Sequence, residues 1–474
     1  MSPKKLPLSL NVICLKLLSN QLIHALSDEE GLHQAEVQEY MTPSTYHTLQ
    51  YLLNEILGLI NLDASIRFSC LQVLLREDVK RLEIGIFPRF YYDKILETIS
   101  ENGRGLHHLN LKGVWARDYP ELLSNLLTNT RHLKALIIPH MADDSVINSI
   151  INLKSLVKLD ISGEACYTSI GISKLNSDTI RILDIGSFGK PNLCQDCPLS
   201  GYELMAEIIK NLPNLNVLKT YSFTGHALLH LYKDDHNFKT KLTYIHTTDC
   251  NLDILNAIAN TCPHLENIHV NRPQEKVVRE LSKIPDLRSL KLTKGNGDEF
   301  LSFLKNAGEK LHQIKLNHNK SSLIDISNFC EYTPNINSLE FYHMYLKFSN
   351  LDSFYVNLQK VQILYCDIDD TVVKSMLTNA PFLKSITVGC SIQMTDGDMF
   401  RLLGECTLEN IEELLFSEAR FLTAITVELL ADNCPKLKVL GSLVGWDITP
   451  DEIDALRVLI SITNTDLTLW PVAY

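Results

Sequence analysis

Leu265-Glu-Asn-Ile268-His-Val270 and, one step on, Leu287-Arg-Ser-Leu290-Lys-Leu292 are two copies of one phrase, apolar-x-x-apolar-x-apolar. The phrase recurs as Val79-Lys-Arg-Leu82-Glu-Ile84, Leu106-His-His-Leu109-Asn-Leu111, Leu156-Val-Lys-Leu159-Asp-Ile161 and Leu383-Lys-Ser-Ile386-Thr-Val388. It appears fifteen times between Val79 and Ser442, in steps of 22 to 28 residues with one of 35. Its last three positions alternate apolar, open, apolar, which predicts a short strand with one face buried. Between phrases lie helical stretches such as Leu252-Asp-Ile-Leu255-Asn-Ala-Ile258-Ala. Pro213, Pro263, Pro285, Pro334, Pro381 and Pro435 each stand two residues before a phrase and mark the helix-to-strand corner, because proline cannot continue a helix and keeps its predecessor extended.

One strand and one helical return at this period resemble leucine-rich repeats, which stack so that each unit contacts only its neighbours. The resemblance implies an α/β fold, a curved parallel sheet with helical returns, and a long contact surface in place of a catalytic cleft. Three segments follow: 1–76 without the period and helical, 77–445 with about fifteen repeats, and 446–474 as a closing unit. In the last, Thr449-Pro450-Asp451-Glu452 is a capping box ahead of an amphipathic helix, and Leu467-Thr-Leu469-Trp470 reads as an edge strand.

A net charge of −12 argues against a partner held through its phosphates. No apolar stretch is long enough to span a membrane, and Asn11 and Lys16 interrupt the run from Leu6 to Leu18 that would otherwise resemble a secretion signal. The twelve cysteines are scattered rather than framework-like, as in a reducing compartment, cytoplasm or nucleus.

Ahead of the repeats, Leu10, Ile13, Cys14, Leu17 and Leu18 fall at helical spacing, with Leu22 extending the same apolar face. Ser9-Leu10-x-x-x-Cys14-x-x-x-Leu18 is similar to the elongin C-binding box. A second helix starts from Thr42 as cap and Pro43 in its first turn and runs through Tyr46, Leu49, Leu53 and Ile56. Pro43-x-x-Tyr46 resembles part of the element that selects cullin-2, although Thr42 and Gln50 stand where that element has apolar residues. Box, helix and repeats in this order resemble the N-terminal half of Zyg-eleven-type substrate receptors. That resemblance implies Ser9, Leu10, Cys14 and Leu18 as the contact to elongin C (with elongin B), and Pro43 and Tyr46 as a contact to a cullin, cullin-2 foremost. It also implies an unidentified protein substrate on the repeats, with no cofactor and no chemistry performed by this chain. Leu6-Pro7-x-x-Leu10 also resembles the start of an F-box, whose adaptor is Skp1; a scaffold unconnected with ubiquitin is the third reading.

On the repeats, Arg288, Lys291, Lys315, Lys360 and Lys384 form a local basic run suited to an acidic protein segment. Cys194-Gln-Asp-Cys197 sits inside the 35-residue step without a second ligand pair and reads as a loop insertion rather than a zinc site. Gly295-Asn-Gly297 is a turn, not a phosphate cradle.

Overall fold

The computed structural model describes residues 3–27, 34–164, 166–186, 200–220, 223–318 and 323–471. Its contacts divide the chain into two compact units, Leu8–His246 with Asn260–His264, and Met1–Pro7 with Thr247–Ala259 and Leu265–Tyr474.

The first unit begins with four helices, α1 (Leu10–Ala25), α2 (Gln34–Met41), α3 (Tyr46–Leu57) and α4 (Ala64–Leu74). Strands follow one per repeat: β1 (Arg81–Glu83), β2 (His108–Asn110), β3 (Ala135–Ile137), β4 (Lys158–Asp160), β5 (Ile182–Gly186), β6 (Val217–Thr220) and the start of β7 (Tyr244–Thr248). All pair in parallel and in chain order, with Leu82, Leu109, Leu136, Leu159, Leu183 and Leu218 in register.

The second unit continues the pattern. It holds β8 (Asn267–Asn271), β9 (Ser289–Thr293), β10 (Gln313–Asn317), β11 (Leu323–Asp325), β12 (Ser338–Tyr342), β13 (Tyr345–Lys347) and β14 (Lys360–Leu364). Then come β15 (Asp367–Ile368), β16 (Ser385–Ser391), β17 (Glu413–Glu418), β18 (Val439–Gly441) and β19 (Thr468–Leu469). Here too the second apolar residue of each phrase meets its counterpart, from Ile268 and Leu290 through to Leu440 and Leu469. None of these register positions in the fifteen phrases is more than 2% exposed. This is the leucine-rich-repeat fold: each phrase contributes one rung of a parallel ladder and one layer of core.

Two departures from the expected repeat have local causes. β11, β13 and β15 form a separate parallel strip, so three consecutive returns begin with a strand. The return after β13 contains no helix; Tyr355 is buried there instead and donates its hydroxyl hydrogen to the Ile326 carbonyl. The second departure lies at the end of each strand. Arg272, Lys294, His318, His343 and Tyr365 follow β8, β9, β10, β12 and β14 with φ between 49° and 56°. In that left-handed conformation each turns the chain yet still donates its N–H to a carbonyl of the neighbouring strand, as Lys294 does to Asn317 at 2.9 Å. The extra ladder bond offsets a conformational cost of about 1 kcal/mol that glycine would avoid.

At the C-terminal end, Thr449 and Glu452 form the reciprocal capping box of the helix Pro450–Ile462. Residues near the N-terminus share this unit: Lys4 bridges Thr465 antiparallel, and the Lys5 N–H donates to Asn464 at 3.0 Å.

Candidate functional site

The sequence builds α1 from its first turn. Ser9 is the N-cap: its backbone is extended and its Oγ accepts from the Val12 N–H at 3.3 Å, which satisfies one of the donors every helix start leaves open. The small polar residue at the head of the box therefore has a structural duty besides any contact to a partner.

From Leu10 onward, residues advance by about 100° around the axis, and the helix separates into two apolar faces. Ser19 and Leu22 are buried, Val12 and Leu15 are half-buried, and this inner face lies on α3 and α4. Opposite it stand Leu10 at 76% exposure, Ile13 at 41%, Leu17 at 58% and the exposed thiol of Cys14. Leu18 sits on the shoulder, half-buried. The single apolar face expected from spacing is thus two: Leu22, read as extending the outer stripe, belongs to the core. The shift follows from geometry, since a residue twelve positions after Leu10 has rotated about a third of a turn away from it.

Thr42 and Pro43 do not start a helix. They form the turn between α2 and α3, where the Thr42 hydroxyl donates to the Gln38 carbonyl at 2.9 Å. The cap of α3 is Thr45, whose Oγ1 accepts from the Thr48 N–H; Thr45 offers its side chain two residues after the proline has already broken the chain direction. Pro43 and Tyr46 are both exposed, and the Tyr46 ring lies 3.8 Å from that of His47. Gln50 has a different role. Its amide donates to the Arg81 carbonyl at 2.6 Å and accepts from the Arg81 N–H at 2.9 Å, closing the open edge of β1 in place of a neighbouring strand.

The basic run resolves into separate rows. Lys291, Lys315 and Lys360 lie at strand positions whose side chains alternate with the core, while Arg288 and Lys384 precede β9 and β16 by one residue. Lys315 is already engaged: Glu340 accepts from it at 2.7 Å and its ammonium lies 4.6 Å from the centre of the Tyr342 ring. Burial opposes the charged amine, but the Glu340 carboxylate and the Tyr342 hydroxyl together outweigh it and hold its pKa above the ordinary lysine value. Lys291, half-buried beside it, is pushed down by burial and by the Lys315 charge.

A cleft of about 320 Å³ in the first unit left no mark in the sequence. Trp115 stacks on His140 at 5.0 Å, flanked by the ion pairs Arg117–Glu164 and Arg89–Asp118. Two guanidiniums against two carboxylates leave it without a preference for either sign of charge. Only the isolated Trp115 could have hinted at it.

The sulfur atoms offer little chemistry. Burial pushes the thiols of Cys70, Cys250, Cys390 and Cys434 up to about 12, so they stay protonated and inert. Cys194 and Cys197 lie outside the described residues. Among the described residues no group of three or more His, Cys, Asp or Glu side chains could hold a metal ion. No helix among them is long and apolar enough to cross a membrane.

No family model matches this chain, and no curated protein matches it. Similar solved structures include an internalin from Listeria monocytogenes, with 18% identity and a TM-score of 0.42, covering 82% of this chain and 96% of that one. Another is a Rad7 and Elc1 complex in yeast, with 14% identity and a TM-score of 0.44, covering 75% of this chain and 98% of that chain. A third is a mouse RP105/MD-1 complex, with 12% identity and a TM-score of 0.33, covering 81% and 86%.

Proposed function

We propose that this chain is the substrate receptor of a cullin ubiquitin ligase, carried by elongin C (with elongin B) on the outer stripe of α1. The observation that supports this reading is the free stripe itself. Leu10, Ile13, Cys14 and Leu17 lie on a helix whose opposite face is already packed, and a helix apolar on two sides is built to be covered on both. Covering a leucine contributes about 1.5–3 kcal/mol, so Leu10 and Leu17 together offset part of the cost of association. Cys14 between them is small enough for a partner backbone to approach closely. Pro43 and Tyr46, exposed on the α2–α3 turn, are the proposed cullin-2 contact, and the repeats hold a substrate protein in the cytoplasm or nucleus. Ubiquitin transfer then belongs to the partner enzymes.

The test is capture of purified elongin B–C by the full chain. Leu10→Ser with Cys14→Ser abolishes capture while the thermal melting temperature stays within about a degree or two, because neither side chain is buried. Capture of Skp1 in place of elongin C would replace this reading with the F-box one. Binding of neither adaptor would leave a repeat scaffold unconnected with ubiquitin.

A further inference from the structure

Twelve side chains face away from the core on β8, β9 and β10 or belong to the left-handed residue that follows each strand, Arg272, Lys291, Lys294 and Lys315 among them. Four are cationic and none is acidic, on a chain whose net charge is −12. Their register fixes them as neighbours: His269 pairs with Lys291 and Lys291 with Lys315 across adjacent strands. Two of the four cations are matched from outside the patch, Arg272 by Asp249 at 2.8 Å and Lys315 by Glu340 at 2.7 Å. Lys291 and Lys294 have no ion pair among the described residues. Lys291 is half-buried, and Lys294 is exposed on the rim one turn of backbone further on.

The Glu340 carboxylate that pairs with Lys315 acts on Lys291 too, but one carboxylate between two ammoniums leaves half-buried Lys291 without a counter-ion of its own, a place an incoming anion fills. Its surroundings indicate which anion. A lysine ammonium acts as a point charge toward carboxylate and phosphate alike, so the neighbouring amides and the charge of the whole chain decide between them. Asn271, Gln313 and Asn317 bring side-chain amides to the same face, able both to donate to and accept from an extended main chain. A nucleic-acid strand would have to approach a molecule that repels it overall.

We infer that the face of β8–β10 is a docking surface for an acidic protein segment, lying extended across the strands with carboxylates at Lys291 and Lys294. The inference narrows the five-residue run read from sequence. Arg272 and Lys294 join it, and Arg288, Lys360 and Lys384 fall outside it. It rests on the receptor reading only for the meaning of the segment as a substrate; the surface itself stands independently of the adaptor.

The test is fluorescence anisotropy of the full chain with a fluorescein-labelled peptide of alternating Glu and Ser. Lys291→Gln with Lys294→Gln weakens binding by about tenfold, and Lys360→Gln with Lys384→Gln leaves it unchanged. Binding also falls steeply with added salt. Both variants are checked for elongin B–C capture, so that a folding defect, a failure of the adaptor reading and a failure of this inference give different results. Equal binding by the Lys291/Lys294 variant, equal binding of an alternating Lys and Ser peptide, tighter binding of single-stranded oligothymidine, or no binding at all would each overturn it.

Discussion

Gly163 holds φ at +95°, and a β-carbon there would meet the imidazole of His140 at 2.4 Å. Two penalties coincide at one residue, so Gly163→Ala costs about 2–3 kcal/mol in urea unfolding. Adding His140→Ala removes the clash but not the backbone strain, and the double variant recovers only part of the loss. Asp398 gives the matching electrostatic case. Its carboxylate accepts from the Lys374 ammonium at 2.9 Å and from the N–H and hydroxyl of Thr395 at 3.0 and 2.7 Å. The Lys374 hydrogen bond first, and those of Thr395 after it, hold its pKa well below the ordinary carboxylate value. A folded-state pKa below the unfolded one gives stability that is present above about pH 4 and lost as the pH falls through the folded value. Asp398→Asn is therefore destabilised against the parent at pH 7, and the two unfolding curves converge on acidification.

Among the elements, α1 makes the sharpest contrast because its two faces are alike in composition and opposite in environment. Leu22→Ala on the inner face costs about 2–5 kcal/mol through the cavity it leaves. Leu10→Ala or Leu17→Ala on the outer face changes stability by no more than about 0.5 kcal/mol and acts on adaptor capture instead. If calorimetry showed Leu10→Ala as costly as Leu22→Ala, the outer stripe would be part of the fold and not a docking face. The α3–β1 junction makes a smaller prediction. Gln50→Ala opens both polar groups of Arg81 at the edge of β1 and lowers stability by about 1 kcal/mol, read as faster amide exchange at residues 81–83. Spacing alone predicted the apolar face of α3 but assigned Gln50 no role, because a side chain that pairs with a strand edge has no period to reveal it.

Across the whole molecule, cysteine reactivity ties the fold to the proposed site. Among the described cysteines only Cys14 is exposed. In a Cys194→Ser, Cys197→Ser background, maleimide reacts fastest at Cys14, and bound elongin B–C slows that reaction at least tenfold; unchanged labelling in a captured complex would place the adaptor elsewhere. What is visible along the chain and what only the fold reveals divide along the line between local and distant contacts. The strand phrase, its register, the proline corners and the capping box at Thr449 were legible in the chain because each depends on residues a few positions apart and repeats fifteen times. Which side of α1 is free, the turn at Pro43, the edge bond from Gln50 and the cluster of Arg272, Lys291, Lys294 and Lys315 depended on what lies across from each residue. Most of those neighbours come from other helices or other repeats, brought together only by the fold, so a short window along the chain does not contain them. The amino-acid order determined the repeating layer; the stacking of layers decided which surfaces are covered and which remain to be met by another molecule.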